Sequence, residues 1–398
     1  MADDDLQILF AGKYLRGFQK YLIDNPPEGI SYSFQNKSGQ PFFFETKPWY
    51  VKLPLKIWHS TFGDYLGLIF RIIVKHDQNI DAIQTYNRLV RTTGIPYIIY
   101  LENPTALYHY DLRRVKTFLG RKKIKKYIQD DNLKAVICMS DACYRTVDKL
   151  IPGFNKTKYR IYPYLPSNAN VTEEKIRKRC EEPVLQALFV SSDFLLKGGA
   201  EIITAVEQLR DLSIHLTLVT KRDRIPAYWQ RRILNLGDMV SLIEFNLVPD
   251  ELSQIYARSH VLLHPSYKDS FGIVVLEAIK AGLTVIGTNL YALPEMVTPE
   301  NGYLTDPPKP YFTAQGIPNP DYWKNEKKLL NDIPNLRLTA FLQDSINELS
   351  HNRGLLKKKS LCSWNKSHDE PFSDEFIRKQ WHDIYQDIFH TIPADLEK

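Results

Sequence analysis

The chain has 398 residues, of which 43% are hydrophobic and 25% are charged. This composition excludes an intrinsically disordered protein, and the length favours two domains over one core. The formal net charge of +6 is too small to indicate a nucleic-acid-binding protein, although it is compatible with anionic ligands or a lipid surface.

Four cysteines without a CxxC pair or a metal-ligand spacing indicate reduced thiols, as in a cytosolic protein. The acidic N-terminus does not resemble a signal peptide, and no apolar run is long enough to span a bilayer. We therefore expect a cytoplasmic protein. The small net charge, in turn, predicts that nucleic acid is not a partner.

Apolar runs of strand length recur along the chain and, from Val184 onward, alternate with helical stretches. The predicted strands are residues 6–11, 97–101, 135–139, 184–190, 216–219, 242–245, 261–263 and 284–286. The predicted helices are residues 199–209, 250–258, 273–281 and 372–389, the last with an aromatic stripe that is typical of packing. This alternation predicts buried parallel strands with right-handed βαβ crossovers, and therefore an α/β fold.

A change in composition predicts the domain boundary. The proline- and tyrosine-rich residues 162–166 precede a charged stretch, 173–182, which has no strand character. We predict an N-terminal domain over residues 1–165, a linker over 166–183, a C-terminal domain over 184–371 and a final helix within 372–398 that crosses back to the N-terminal domain. The proline-rich residues 306–334 predict either a functional insertion or a mobile segment.

Two carboxylates, Asp269 and Glu277, flank the start of a predicted helix. Ligands of open α/β sheets bind beyond the carboxyl ends of the strands, where loops lead into helices. Gly272 allows the backbone to approach a ligand, and the free N–H groups near Ile273 and Val274 form an anion site. We expect Glu277, one turn along the helix, to reach a group such as a ribose diol, and Asp269 to face a polyhydroxyl sugar.

The segment DSFGIVVLE, residues 269–277, resembles the acid and glutamate signature of retaining family-4 glycosyltransferases. The similar frame includes residues 246–252, Pro294-Glu295 and residues 301–304. Residues 189–199 resemble the phosphate-binding strand and loop of that family. The resemblance covers residues 184–304 and implies the GT-B fold, in which two Rossmann-like domains place parallel sheets on either side of a central cleft.

The resemblance also implies roles for individual residues. Glu277 would bind the nucleotide ribose, Asp269 the donor sugar, and Lys197 would neutralise the diphosphate. The other donor-site candidates are Ser192, Gly198, Ser270, Phe271, Gly272, Ile273, Val274, Asn246 and Leu247, the last two for the base. The catalytic candidates are Asp269, Lys197 and Glu102, and the acceptor-site candidates are Gly12, Asn103 and His109.

Structural alternatives remain for several of these residues. Glu277 would otherwise be a surface acid of a helix, Asp269 an exposed loop acid and Lys197 a basic helix start. His264 either faces the cleft or has a structural role at the strand end.

Several positions depart from the pattern of the family. Asp269 stands in place of the usual glutamate, Ser192 in place of an arginine, and Glu102 in place of a histidine. Residues 291–292 are Tyr-Ala where two glycines are usual. One of the cations at positions 221 and 222 would supply the charge that Ser192 lacks.

The resemblance implies retaining transfer of a hexose from a UDP- or GDP-sugar to a glycan or glycolipid acceptor, as in polysaccharide biosynthesis, with no metal and no other cofactor. The departures motivate an alternative, a catalytically weak nucleotide-sugar-binding subunit of a glycosylation complex. A dinucleotide oxidoreductase is disfavoured, because no GxGxxG follows a strand.

Two stretches raise the question of a membrane partner. Residues 113–126 are basic with apolar residues between the charges, and residues 42–65 are rich in aromatic side chains. The basic stretch predicts either peripheral contact with the inner face of a membrane or an ordinary solvated helix face. The aromatic stretch is typical of a lipid interface, of a surface that stacks on sugars, or of core packing.

Overall fold

A computed structural model of the chain describes residues 5–12, 15–34, 61–74, 80–91, 94–323, 328–330 and 333–390. The chain divides into two compact units, Met1–Leu165 with Asp374–Lys398, and Pro166–Ser373. Each unit is built on a six-stranded parallel sheet. The α/β class predicted from the continuous apolar strands is confirmed.

In the first unit, the strand order of the large sheet is β2-β1-β4-β6-β7-β8, and β3 pairs with β5 in a small separate sheet. The strands are β1 (Leu6–Ala11), β2 (Ile30–Phe34), β3 (Ile72–Ile73), β4 (Ala82–Tyr86), β5 (Val90–Arg91), β6 (Tyr97–Leu101), β7 (Leu133–Cys138) and β8 (Thr157–Arg160). The helices are α1 (Gly17–Asp24), α2 (Thr61–Tyr65), α3 (Leu112–Lys116), α4 (Phe118–Ile128) and α5 (Asp141–Leu150). Strand β6 is buried along its whole length, which explains its unbroken apolar sequence.

In the second unit, the strand order is β11-β10-β9-β12-β13-β14. The strands are β9 (Leu185–Ser191), β10 (Ile214–Thr220), β11 (Val240–Glu244), β12 (Val261–His264), β13 (Thr284–Thr288) and β14 (Gly302–Thr305). The helices are α6 (Glu173–Arg179), α7 (Gly199–Glu207), α8 (Ala227–Asn235), α9 (Pro249–Arg258), α10 (Ile273–Lys280), α11 (Leu293–Met296), α12 (Leu336–His351) and α13 (Arg353–His368). The carboxyl ends of β9, β12 and β13 therefore lie side by side at one edge of this sheet.

The last helix, α14 (Asp374–Tyr385), packs on the first unit through aromatic side chains. The ring centroid of Trp381 lies 5.2 Å from that of Tyr100. The hydroxyl of Tyr385 donates to the side chain of Gln84 and accepts from the hydroxyl of Tyr32. The predicted packing role of the aromatic stripe is confirmed.

The segment predicted as a linker, residues 166–183, contains helix α6 and is anchored in the second unit. The buried guanidinium of Arg179 donates to the carbonyl oxygens of Ala257, at 2.7 Å, and Gly282, at 2.8 Å. Ile176 lies on the same buried side of the helix. The charged sequence gave no indication of this short amphipathic helix, because one of the residues that the helix buries is an arginine.

The proline-rich segment packs through an aromatic cluster over the part that the structure describes. Tyr311 stacks on Trp323 with centroids 5.1 Å apart, and Phe312 stacks on Tyr291 with centroids 4.6 Å apart. Residues 324–327 and 331–332 lie outside the described residues. The cluster holds the described segment against the loop that follows β13.

Candidate functional site

The loop between β12 and α10 places Asp269 and the start of a helix at the carboxyl edge of the second sheet. Gly272 caps α10 with a φ of 83°, a left-handed conformation that favours glycine. A Cβ atom at this position would also lie 3.0 Å from Cδ1 of Leu293. Ile273 and Val274, two partly exposed residues, begin the helix and provide its first backbone N–H groups.

Lys197, Asp269 and His264 meet at this edge. Nζ of Lys197, in the loop between β9 and α7, donates to Oδ2 of Asp269 at 2.7 Å and to the carbonyl oxygen of Lys268 at 2.5 Å. Nε2 of the buried His264, at the end of β12, lies 2.8 Å from the same Oδ2. His264 therefore contacts the candidate site directly and orients its carboxylate.

The surroundings of Asp269 keep it ionised. Burial by itself would raise the pKa of the carboxyl group, but the ammonium of Lys197 and the hydrogen bond from His264 outweigh burial and hold that pKa well below its usual range. Burial lowers the pKa of His264, which leaves a neutral imidazole at neutral pH. A neutral ring that donates from Nε2 to a carboxylate satisfies both groups.

Glu277 lies one turn into α10, as predicted. Its Oε2 accepts a hydrogen bond from the hydroxyl of Tyr256, on α9, at 2.8 Å. Burial raises the pKa of Glu277 to about 7, although the bond from Tyr256 acts in the opposite direction. The carboxyl group therefore changes its charge in the physiological range and gains from any ligand that donates hydrogen bonds to it.

A second helix N-terminus lies at the same edge. Helix α7 is capped by Gly198, whose φ is 78°. A Cβ at Gly198 would lie only 2.3 Å from the carbonyl oxygen of Pro265, so the two loops pack backbone against backbone. Lys197 directly precedes this cap, and the partly exposed Ser192 follows β9. The backbone N–H groups of helix N-termini and a lysine ammonium are groups that bind phosphate.

The remaining candidates for donor binding include one buried residue, one that contacts Asp269 and two in the loop after β11. Phe271 is buried and serves the packing of the loop. The backbone N–H of Ser270 donates to Oδ1 of Asp269 at 2.9 Å, which fixes the carboxylate. Asn246 and Leu247 lie in the loop after the edge strand β11, where Asn246 is exposed.

The cation suggested as a replacement for the missing arginine contacts the sheet edge. The guanidinium of Arg222 donates to the carbonyl oxygen of Leu242, in β11, at 2.9 Å. Its backbone N–H donates to Glu244 at 3.3 Å. Compensation for Ser192 by Arg222 stays a prediction.

The catalytic candidate of the first unit, Glu102, follows β6 and is held by two neighbours. Its Oε2 accepts from the hydroxyl of Tyr86 at 2.5 Å and from Nδ2 of Asn87 at 3.4 Å. Tyr86 and Asn87 line a cavity of ≈ 290 Å³ together with the acceptor-site candidate Gly12. Glu102 therefore fixes one wall of a cavity at the carboxyl edge of the first sheet.

The two remaining acceptor-site candidates have structural contacts. Asn103 is 1% exposed, and its Oδ1 accepts from the backbone N–H of Thr105 at 3.0 Å, which caps the short 3-10 helix Pro104–Tyr108. Nε2 of His109 lies 3.1 Å from the backbone nitrogen of Phe70, from which it accepts. Neither side chain is part of the described lining of the cavity beside Gly12.

Sequence reasoning missed Tyr256 and Tyr86, the hydrogen-bond partners of the two glutamates. Each is separated from its glutamate by more than a dozen residues and lies on another element. Only the order of strands and helices in the fold brings them together, so no local spacing signals them.

The side chains and helices of the described residues bear on metal binding and on membrane spanning. Within that part of the chain, no group of three or more His, Cys, Asp or Glu side chains is placed to hold a metal ion. No helix in the same residues is both long and apolar enough to cross a membrane.

Part of the second unit is similar in sequence to a known protein family. Residues 171–318 match the family model of glycosyl transferases group 1. A segment of 126 residues is 33% identical to the lipopolysaccharide glucosyltransferase WaaG of Escherichia coli, and this match covers 31% of the chain and 33% of WaaG. The chain thus spans about a third of the length of that relative.

Solved structures resemble the chain over nearly its whole length. A glycosyltransferase from Rickettsia africae superposes with a TM-score of 0.60 at 16% identity, covering 98% of this chain and 100% of that one. Anabaena Alr3699/HepE, solved with UDP-glucose, gives a TM-score of 0.58 at 14% identity, covering 96% of this chain and 100% of that one. The predicted GT-B glycosyltransferase fold is confirmed.

Proposed function

We propose that the protein is a glycosyltransferase that uses a nucleotide-sugar donor bound at the carboxyl edge of the second sheet. The observation that carries this proposal is the pairing of Lys197 with Asp269, at 2.7 Å, beside the N-termini of α7 and α10 and one turn from Glu277. A diphosphate would take Lys197 and the helix N-termini as partners. The ribose diol would donate to Glu277, and Asp269 would accept hydroxyl groups of the sugar.

The matched family region covers these residues, which supports the assignment of the donor to this edge. The complex of the Anabaena structure with UDP-glucose supports a nucleotide sugar as the class of donor. A UDP- or GDP-hexose and a glycan or glycolipid acceptor remain our proposal for this chain.

We propose that transfer proceeds with retention at the anomeric carbon and without an enzyme nucleophile. The bond from the anomeric carbon to the diphosphate oxygen breaks while a bond to the acceptor hydroxyl forms on the same face. The hydroxyl proton passes to the departing diphosphate. Preorganised N–H groups and Lys197 stabilise the charge on that diphosphate, and each such donor contributes ~3–4 kcal/mol to lowering the barrier.

A second candidate function is a nucleotide-sugar-binding subunit with little turnover. The contacts of Lys197 favour it, because Asp269 and the carbonyl oxygen of Lys268 already take two of the three N–H donors of its ammonium group. The neutral Ser192 favours it as well, since it adds no charge toward a diphosphate.

One assay separates the two functions. The purified protein is incubated with UDP- and GDP-sugars, with and without saccharide or lipid-linked acceptors, and released nucleoside diphosphate is measured. A transferase releases diphosphate at a rate that falls in Lys197→Gln and is unchanged in Lys178→Gln, a control on the exposed side of α6. Binding of a nucleotide sugar without release under every condition would favour the subunit.

We further propose peripheral contact with an anionic membrane through a surface formed by the end of α3 and by α4, here called the basic patch. Phe118 is 80% exposed and Leu119 is 51% exposed, so two adjacent large apolar side chains are accessible to a partner. The exposed cations of the patch are Lys116, Arg121, Lys122, Lys125 and Lys126. Apolar side chains among cations complement the headgroup region of anionic lipids.

Two arginines of the basic stretch have another role. Arg114 is buried and donates to Oδ1 of Asp64 at 3.0 Å, and Arg113 donates to Oδ2 of the same carboxylate at 2.7 Å. Gly120 lies inside α4, where a Cβ at Gly67 would come within 2.4 Å of its backbone nitrogen. The stretch thus has an internal part that anchors α4 and an external part that forms the patch. Residues 42–60 of the aromatic-rich stretch lie outside the described residues.

A further inference from the structure

The cavity at the carboxyl edge of the first sheet has a cationic lining. Arg16 follows β1 and Arg88 follows β4, two strands that are neighbours in the sheet. Among the described residues that line the cavity, these two are cationic and none is acidic. Its volume of ≈ 290 Å³ is close to the lower limit for small-molecule sites, so it fits one group of a ligand better than a whole oligosaccharide.

Each of the two guanidinium groups lies beside a ring, that of Arg16 beside a tyrosine and that of Arg88 beside a histidine. Cζ of Arg16 lies 5.6 Å from the ring centroid of Tyr86. Nη1 of Arg88 lies 3.2 Å from Nδ1 of His109. Because Nε2 of His109 accepts from the backbone N–H of Phe70, Nδ1 carries the ring proton and does not accept from Arg88. His109 therefore takes none of the five N–H donors of this guanidinium.

The wall behind the arginines is rigidly built. Asn87 and Tyr110 have left-handed backbones, with φ of 58° and 57°, and Nδ2 of Asn87 donates to the hydroxyl of Tyr110 at 3.3 Å. The backbone N–H of Glu102 donates to Oδ1 of Asn87 at 2.9 Å. A left-handed residue other than glycine costs ~1–2 kcal/mol, and such strain is concentrated at functional sites. Burial raises the pKa of Tyr110, which keeps its hydroxyl a hydrogen-bond donor.

We propose that this cavity binds an anionic group of the acceptor, a phosphate or a carboxylate, between Arg16 and Arg88. This proposal rests on the proposed function, because it assigns the acceptor class of the same reaction. Guanidinium groups bind phosphate and carboxylate through paired N–H donors, and these charge-assisted bonds are about twice as strong as neutral ones. Glu102 lies behind this lining and accepts from Tyr86 and Asn87. Two guanidinium groups still outnumber this one carboxylate, and a neutral sugar acceptor gives no reason for that excess.

The test measures the binding of glycerol 3-phosphate, with glycerol as its neutral counterpart, by isothermal titration calorimetry. The proteins compared are the wild type, Arg16→Gln, Arg88→Gln and the double variant. Arg145→Gln is the matched control, because Arg145 is exposed on α5. Each titration is made with saturating UDP and again without it. The titration without UDP tests this cavity even if the proposed donor site is wrong.

We expect the wild type to bind glycerol 3-phosphate but not glycerol, in the presence and absence of UDP. Each single variant should bind it at least tenfold more weakly and the double variant not at all, while UDP affinity and the circular dichroism spectrum stay unchanged. Arg88→Lys should recover part of the affinity. Equal binding by the double variant, an equal loss in Arg145→Gln, or displacement of glycerol 3-phosphate by UDP would overturn the proposal.

A parallel arm distinguishes the two sources of the anionic group. Lysophosphatidic acid below its micelle concentration is titrated under the same conditions. Tighter binding than glycerol 3-phosphate, lost in the double variant, assigns a lipid-linked acceptor. Equal or weaker binding assigns a soluble phosphorylated acceptor.

Discussion

The hydroxyl of Tyr256 donates a hydrogen bond to Oε2 of Glu277 at 2.8 Å, and this bond joins α9 to α10 beside the proposed donor site. This hydrogen bond favours the ionised carboxylate. Burial outweighs it and raises the pKa of Glu277 from 4.5 to about 7. The protein without ligand therefore has a carboxyl group that is costly to ionise. A ribose diol would supply the hydrogen bonds that the ionised form lacks.

The first prediction concerns stability. The pKa of Glu277 is raised on folding, so its stabilising effect is complete below pH 4.5 and is lost as the pH rises through about 7. Glu277→Gln keeps an oxygen that accepts from Tyr256 and has no charge to bury. We expect this variant to be more stable than the wild type at pH 8, by on the order of 2 kcal/mol, and equally stable near pH 4.5.

Urea denaturation at both pH values measures this difference. Glu28→Gln, at an exposed turn of the first unit, is the control and should leave stability unchanged at both. A stability difference for Glu277→Gln that is the same at pH 4.5 and pH 8 would contradict the pKa of Glu277 on which the prediction depends.

The second prediction concerns the pH dependence of donor binding. Because a ribose diol donates to the ionised form of Glu277, affinity for a UDP-sugar should increase by up to about tenfold per pH unit below pH 7 and level off above it. Glu277→Gln should bind about tenfold more weakly at pH 8 and show no such pH dependence. Calorimetric titrations at pH 6, 7 and 8 measure both effects. Parallel pH profiles for the two proteins would exclude Glu277 as the group that titrates.

The third prediction separates the roles of Asp269 and Lys197. Asp269→Asn removes the charge that faces the sugar, so we expect turnover to fall by about 100-fold with little change in affinity for the nucleoside diphosphate. Lys197→Gln should lower both quantities, since its ammonium serves the diphosphate in the ground state and in the transition state. Initial rates and calorimetry give the two values for each variant. A normal rate in Asp269→Asn would remove this residue from the sugar site.

The fourth prediction concerns the basic patch. Each cation near an anionic surface contributes ~1 kcal/mol, so Lys122→Gln with Lys125→Gln should weaken binding to vesicles that contain phosphatidylglycerol by about 10- to 30-fold. Phe118→Ser should also weaken binding to these vesicles, at low and at high salt, because salt does not screen the contribution of an apolar side chain.

Co-sedimentation with vesicles measures this binding, with pure phosphatidylcholine vesicles as the neutral comparison. Lys134→Gln with Arg145→Gln, two exposed cations of the first unit outside the patch, is the matched control and should bind like the wild type. Binding that is equal in both double variants would show that net charge, and not this patch, attracts the protein.

The parts of the fold that the sequence predicted are those with a clear hydrophobic period. Strand β6 is buried along its whole length and β9 at every residue except Gln186, and the mainly apolar sequences of both strands indicate it. Helix α13 was not predicted, because its inward face carries polar residues. The residues buried on this helix are Leu356, Lys359, Ser360, Ser363 and Ser367. The hydroxyl of Ser363 donates to the carbonyl oxygen of Leu283 at 2.7 Å, a contact with no signal in the sequence.

The candidate site was predictable only where its residues are close in sequence. Asp269 and Glu277 lie on one loop and the helix that follows it, so their spacing was informative. The partner of Glu277, Tyr256, belongs to another helix. Arg16 and Arg88 meet at one cavity because β1 and β4 are neighbours in the sheet, which the strand order alone determines.

The most direct test of the donor site is a crystal structure of the protein with UDP bound. We expect the diphosphate at the N-termini of α7 and α10 in contact with Lys197, and the ribose hydroxyls within hydrogen-bond distance of Glu277. Well-ordered UDP bound anywhere else, with the salt bridge of Lys197 and Asp269 unchanged, would contradict the account.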